Sequence, residues 1–299
     1  MTDTAADGQH AHAPQTTTPQ TTTPQTTDRH PWPPQTPPTQ TPPAQSSPPQ
    51  AGTPRAPSHP DPSLRRSAAL FRAFLREQTD PAHAYGLLAR DAADQVERHH
   101  PLSGATVVDV GGGAGHFTEE FRRRGARAFL FEPDPAELHA DDRRPHGAVL
   151  ADGYLLPLAD GAADVCFSSN VLEHVADPQT FLSEMVRVTR PGGLIYVAFT
   201  NWYSPWGGHE TAPWHYLGAA RARTRYRRRT GREAKHTLGE NLFAVHIGPT
   251  LRQVRARPDV RIVSARSRYW PFLPGAITRV PLLREIATWN LLLILRRCP

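Results

Sequence analysis

The stretch "VVDVGGGAGHF", Val107 to Phe117, decides how the chain is read. Gly111, Gly112, Gly113 and Gly115 crowd into five residues directly after the β-branched, apolar run "ATVVDV" (105–110). That run is bounded by Ser103-Gly104 before and the glycines after, as a short buried strand should be. The following "GHFTEEFRRRG" carries apolar residues at 117 and 121 and stops at Gly125, which predicts a helix. Strand, glycine turn and helix together form a phosphate- or nucleotide-binding beginning. A Walker A loop would end in Gly-Lys-Ser/Thr, where this chain has Gly115-His116-Phe117. The dinucleotide pattern G-x-G-x-x-G would need glycine at 116 or 118, which are His116 and Thr118. What remains is Asp109-x-Gly111-x-Gly113-x-Gly115. A carboxylate two residues ahead of the glycines suits a cationic amino-acid moiety lying over the turn, and the glycines let the backbone come into contact with it.

The next elements extend the pattern. "RAFLFEPDP" (127–135) reads as a second buried strand ending in Glu132, an acid placed to accept hydrogen bonds from both hydroxyls of a ribose. "GAVLADG" (147–153) offers a third short strand ending in Asp152. "DVCFSS" is a fourth, followed by a turn at Asn170. "FLSEMVRVTRPGG" reads as an amphipathic helix closed by Pro-Gly-Gly, and "LIYVAF" (194–199) as a fifth strand. From Val107 to Phe199 this succession resembles the class I S-adenosylmethionine (SAM) methyltransferases, in particular their ubiquinone/menaquinone-biosynthesis-like branch. The resemblance implies an α/β, Rossmann-like fold whose seven-stranded, mostly parallel sheet runs 3-2-1-4-5-7-6 with an antiparallel last strand. SAM is the implied cofactor. Carried over by position, Asp109, Gly111 and Gly113 belong at its methionine end and backbone, and Glu132 at its ribose. Asp152 with Gly153 belongs at the adenine, and Asn170 near the methyl group.

The flanks complete the domain. "SLRRSAALFRAFLREQTD" (63–80) and "AYGLLARDAADQVERHH" (84–100) show helical periodicity and form a helical entrance within a domain spanning 63–299. "VRIVSARSRYW" (260–270) and "ATWNLLLIL" (287–295) read as the last two strands, with a short helix or turn at 277–286 between them. Residues 1–62 hold 16 of the 32 prolines and the repeat "PQTTTPQTTTPQTT" (14–27), so they predict a disordered, partly polyproline-II tail. The tail opens on acidic and polar residues, unlike a signal peptide. No apolar run reaches the roughly 18 residues needed to span a bilayer, and the two cysteines, Cys166 and Cys298, offer neither a disulfide framework nor a zinc pattern. A cytoplasmic protein is expected. The net charge of +6 rests on arginine, Lys235 being the single lysine.

Between the fifth and sixth strands lies "TNWYSPWGGHETAPWHYLGAARARTRYRRRTGREAKHTLGENLFAVHIG" (200–248), where this fold carries an acceptor-binding lid. The pattern "WGGHE…HYLGAARA", with "REQTDP" and "FEPDP", resembles an uncharacterised actinobacterial methyltransferase subgroup that supplies no acceptor. His174, His209 and His215 are the candidate general bases for a hydroxyl acceptor, with Glu210 as orienting partner. Some relatives hold a divalent cation with Glu-x-x-Glu-His at 170–174; the first position here is Asn170, which removes charge that Mg²⁺ would want, although His209 or His215 could complete a softer set, and no metal is assigned. The run "RARTRYRRRTGREAK" (221–235) has eight cations against one acid. It reads as a solvated helix face, a dock for an anionic acceptor or lipid headgroup in a peripheral membrane contact, or a nucleic-acid grip. The expected acceptor is a small or lipid-linked molecule, such as a cell-envelope glycolipid or natural product. Nucleic acid is not expected, because no RNA-binding module accompanies the domain and Tyr226 alone makes no stacking platform. RNA methylation and SAM binding without catalysis are the alternatives.

Overall fold

The computed structural model describes residues 63–75, 80–139, 145–270 and 274–299, so the expectation of a disordered tail lies outside the described residues. Two helices come first, α1 (Leu64–Leu75) and α2 (Pro81–Glu97). The sheet then begins with β1 (Thr106–Val110), followed by α3 (His116–Arg123), β2 (Arg127–Glu132), α4 (Pro135–Leu138) and β3 (Ala148–Leu150). Its second half comprises β4 (Ala163–Ser169), α5 (Pro178–Val188), β5 (Thr189–Thr200), α6 (Ala219–Thr230) and α7 (Ile247–Ala256). β6 (Val260–Ser267), α8 (Pro274–Ile277), α9 (Leu283–Ala287) and β7 (Asn290–Arg297) close the chain. The strand order is β3-β2-β1-β4-β5-β7-β6, with β7 antiparallel to both β5 and β6 and the other pairs parallel. This is the sheet the family resemblance implies.

Helices cover both faces, which is why the central strands are apolar on consecutive residues instead of alternating ones. One face packs Val108, Val110, Cys166, Ile195 and Val197 against Phe181, Met185 and Val188 of α5 and Leu251 and Val254 of α7. The other packs Val107, Phe167, Leu194 and Tyr196 against α2 (Ala89, Ala92, Ala93, Val96) and α3 (Phe117, Phe121). Three helices start at an Asp-Pro pair for one local reason. Asp80, Asp134 and Asp177 each accept a hydrogen bond from a backbone N–H of the first turn, and the proline at the first helical position has no N–H to leave unpaired.

Two observations place the helical entrance. Arg66 of α1 forks onto Asp91 of α2, with Nη2 to Oδ2 at 2.6 Å, and also donates to the carbonyl of Arg268 beyond β6. Arg124, at the end of α3, ties that helix back to α2 through Asp94 (2.7 Å) and Glu97 (2.6 Å). Two details differ from the sequence expectation. β5 begins at Thr189 and not at 194, because the Pro-Gly-Gly run continues as an irregular start to the strand, with Thr189 opposite Ala163 and a register shift before Val165. The helix α7 was not anticipated; its buried Ile247, Leu251 and Val254 lie at helical spacing.

Candidate active site

Ligands of open α/β sheets bind beyond the carboxyl ends of the strands, where the order reverses. Here that edge joins the ends of β1, β2 and β4, and it gathers the glycine turn, Glu132 and Asn170. Gly111, Gly113 and Gly115 all take positive φ (74°, 53° and 80°), a conformation that other residues reach only with strain. The Gly111 N–H donates to the Phe131 carbonyl at 2.7 Å, pinning the turn to β2. A side chain at Gly113 would meet nothing within 4 Å, so the turn opens onto free space there. Glu132 accepts from the Gly113 N–H at 2.9 Å and from the Asp134 N–H at 3.1 Å. Each carboxylate oxygen has two acceptor sites, so acceptor capacity remains on both. Burial pushes the Glu132 carboxyl above its ordinary range, against the pull of those two backbone hydrogen bonds.

The remaining cofactor candidates are placed as follows. Asp109 lies beneath the turn, 1% exposed, where its Oδ2 accepts from the Thr118 hydroxyl at 2.7 Å and its Oδ1 is buried without a partner. Burial pushes its carboxyl up to about 7, opposed by Thr118 and reinforced by Glu132. The sequence places Asp109 against the ligand; the structure seats it under the turn as a support. Asp152 is exposed in the turn after β3 and accepts from the Tyr154 N–H at 2.9 Å. Gly153 packs tightly, a side chain there meeting Phe181 at 2.6 Å. Asn170 ends β4 with φ 59°, its N–H donating to Ala198 (2.7 Å) and its Oδ1 accepting from Asn290 (2.9 Å). It therefore joins β4, β5 and β7 at the edge where the turn lies. A positive φ in a non-glycine residue is uncommon, asparagine being among those that tolerate it.

The segment 200–248 folds back to the same edge. Trp202 N–H donates to Val245 O, and Phe243 N–H to Glu173 O. Trp206 packs edge-on against Phe71 of α1 (ring centroids 6.0 Å) and against Trp289 (5.0 Å), so α1 and the segment 200–248 meet. Tyr85 stacks on His116 at the start of α3 (5.3 Å). The helix α6 buries only Ala222 and presents a groove lined by Arg221, Arg225, Arg228 and Arg229, with Arg225 lying 3.9 Å from the Trp214 ring centre.

The histidines divide by surroundings. His215 is 2% exposed, with Nε2 at 3.0 Å from the Trp202 carbonyl and its ring so close to Gly208 that a side chain there would collide with it. These contacts all lie within the segment 200–248. His174, in the turn Leu172–His174, lies against His209 (ring centroids 4.8 Å) and His236 (5.0 Å), and those two stand 4.5 Å apart. Burial lowers the His174 imidazole, and burial together with the neighbouring His174 and His236 lowers His209 to about 3. Such an imidazole stays neutral and is a weak proton acceptor at neutral pH. Burial alone would raise Glu210, but hydrogen bonds from His236 bring it down to about 2. Glu210 thus orients His236 and not its neighbour His209: its Oε2 is 2.7 Å from His236 Nδ1, and its Oε1 accepts the His236 N–H at 2.9 Å. His236 is absent from the sequence candidates. It follows an arginine-rich run and stands 26 residues from Glu210, so no local spacing reveals it.

Fold and edge together define the class: a Rossmann-like α/β domain of the methyltransferase type. A methyltransferase domain family matches residues 108–197. The chain is 45% identical over 244 residues to an uncharacterized methyltransferase of Mycolicibacterium gilvum, covering 78% of this chain and 95% of that one. It is 44% identical over 243 residues to one of Mycobacterium ulcerans, with 78% and 94% covered. Among solved structures it is similar to a SAM-dependent methyltransferase from Mesorhizobium loti, at 22% identity and a TM-score of 0.48, covering 72% of this chain and 98% of that one. The chain belongs to this methyltransferase family. Among the described residues no helix is long and apolar enough to cross a membrane.

Proposed function

We propose that the chain transfers a methyl group to a small or lipid-linked acceptor held between the glycine-turn edge and the lid formed by residues 200–248. The observation that carries this reading is the return of the lid, through Asn241 and Phe243, onto His174 and Glu173, which follow β4. The site fits SAM: Gly113 opens on free space, and Glu132 keeps acceptor capacity beside it. SAM, when bound, supplies an electrophilic methyl on a sulfonium. The chain's own residues bind and orient. Glu132 accepts from the ribose hydroxyls, Gly111 and Gly113 let the backbone approach, Asp109 stiffens the turn from beneath, and Asn170 fixes the end of β4. Asp152 and Gly153 border the adenine. The aromatic lid excludes water and positions the acceptor, which for an in-line displacement is a large share of the rate. Arg221, Arg225, Arg228 and Arg229 favour an anionic acceptor, such as a phosphate-bearing lipid-linked sugar.

Calorimetric titration with SAM tests this reading, with NAD as control. SAM is expected to bind and NAD not. Glu132→Ala should weaken SAM binding by roughly 1–3 kcal/mol through lost charge-assisted hydrogen bonds. Deleting residues 1–60 should leave affinity unchanged. Equal affinity of wild type and Glu132→Ala would remove Glu132 from the cofactor site.

A further inference from the structure

We propose that His174, His209 and His236 form a binding site for a divalent transition-metal ion of the zinc class, oriented from outside by Glu210 and the Asn241 carbonyl. One ring nitrogen from each histidine lies within 4.8 Å of the others, and the rings come from three separate segments. His174 belongs to the turn after β4, His209 to the lid turn at 209–211, and His236 to the loop after α6. Their convergence is a product of tertiary folding, with His174 and His236 each held by a hydrogen bond of its own.

The outer hydrogen bonds set the chemistry. Nδ1 of His174 is 2.8 Å from the Asn241 carbonyl, and Nδ1 of His236 is 2.7 Å from the Glu210 carboxylate. A carbonyl and an ionised carboxylate only accept, so both Nδ1 atoms carry the proton and each Nε2 keeps its lone pair. This is the support given to metal-binding histidines, whose second ring nitrogen almost always donates to a carbonyl or carboxylate. His209 contributes the third nitrogen: its Nε2 is buried without a hydrogen-bond partner. An orphaned buried nitrogen is costly when three rings merely pack together, and a metal ion satisfies it. His209 also sits at φ 49°, held where an extended or helical backbone would turn its ring elsewhere.

The donor set selects the ion. Three neutral nitrogens with no oxygen donor suit Zn²⁺, Co²⁺ or Ni²⁺ and not Mg²⁺ or Ca²⁺, which need oxygen ligands. Bonds of about 2.0–2.1 Å in a tetrahedron bring the nitrogens to roughly 3.3 Å apart, so binding closes the cluster by up to about 1.5 Å. Two of the three rings lie in lid segments, where that adjustment is confined to turns and loops. Three protein ligands leave a fourth position for water, or for an oxygen or nitrogen of the acceptor. The site is near the cofactor turn, since Val171, three residues before His174, lies where a side chain on Gly111 would have to go. The use of the fourth position rests on the methyl-transfer reading above; metal binding does not.

The test is titration of the chelator-stripped full chain with Co²⁺ alone, followed by visible ligand-field absorption. One equivalent should produce the intense bands of a tetrahedral nitrogen site, and Zn²⁺ should displace them. His174→Gln, His209→Gln and His236→Gln should each abolish the bands. Glu210→Gln should weaken affinity about 10–100-fold while keeping the band shape. His236→Cys should retain binding and add a thiolate-to-cobalt charge-transfer band, so the inference does not rest on variants that lose signal. Replacing His10, His12, His30 and His59 together should change nothing. SAM titration of each variant reports folding separately. Absence of saturable binding in wild type, or bands that survive all three Gln replacements, would overturn the site. Cobalt binding without SAM binding would instead sink the proposed function and leave the metal site standing.

Discussion

Gly111→Ala is expected to destabilise the domain by about 2–5 kcal/mol, the sum of holding a non-glycine residue in left-handed backbone and forcing a methyl into occupied space. Its φ is 74°, and an added Cβ would stand 2.6 Å from one Val171 methyl and 2.8 Å from the other. The turn cannot simply move away, because the Gly111 N–H is committed to the Phe131 carbonyl at 2.7 Å. Val171 is the piece that must yield. It lies between Asn170, which ends β4, and the turn that carries His174, so its displacement disturbs the candidate active site as well as the fold. SAM affinity is therefore expected to fall more than tenfold. Urea unfolding and calorimetry check the two effects. Adding Val171→Ala should return the steric part, about 1–3 kcal/mol, and leave the backbone part. A Gly111→Ala protein with wild-type stability and SAM affinity would mean that the turn does not have this conformation in solution.

The same turn shows why so much of the fold was legible in the sequence. A short apolar run bounded by turn residues encodes a buried strand locally, and Val107, Val165 and Ile195, one from each of three such runs, are all fully buried. The strand order came from the family resemblance, not from any local pattern. Where a boundary depends on a neighbouring strand, local reading fell short. The early start of β5 at Thr189 is fixed by pairing with Ala163, which no turn signal announces. The site divides likewise. The glycine turn and Glu132 are local features, separated only by one helix. The burial of Asp109 depends on Thr118 reaching back from α3 to donate to its carboxylate, which no local spacing reveals. Among the histidines, the sequence could group residues by proximity in the chain but not by contact. It placed His215 with His209, whereas the folded lid puts His215 on Trp202 and brings in His236 from a distant loop.

The burial of Asp109 has a measurable consequence with pH. Its carboxyl is raised from 3.8 to about 7 in the folded chain, chiefly by burial, so the folded state holds a proton that the unfolded chain releases. The stability this contributes is complete below the unfolded value, near pH 4, and is lost as pH rises through 7. The difference between the two values corresponds to about 4 kcal/mol between pH 4 and pH 8. Asp109→Asn carries a neutral, isosteric group at every pH and keeps an acceptor for the Thr118 hydroxyl. It should match wild type near pH 4 and become progressively the more stable protein up to pH 8. Comparing the two proteins isolates this group, because the other carboxylates are common to both, Glu132 and Glu173 being raised by burial as Asp109 is. Asp164 is held low by the Thr106 N–H and Arg190, which outweigh its burial, and Glu184 is held low by Arg187, so their contributions grow with pH in both proteins alike. Urea unfolding at several pH values supplies the curve. A difference that stays flat with pH would show that Asp109 ionises freely in the folded state and reaches solvent or a ligand through the turn, restoring the contact that the sequence placed there.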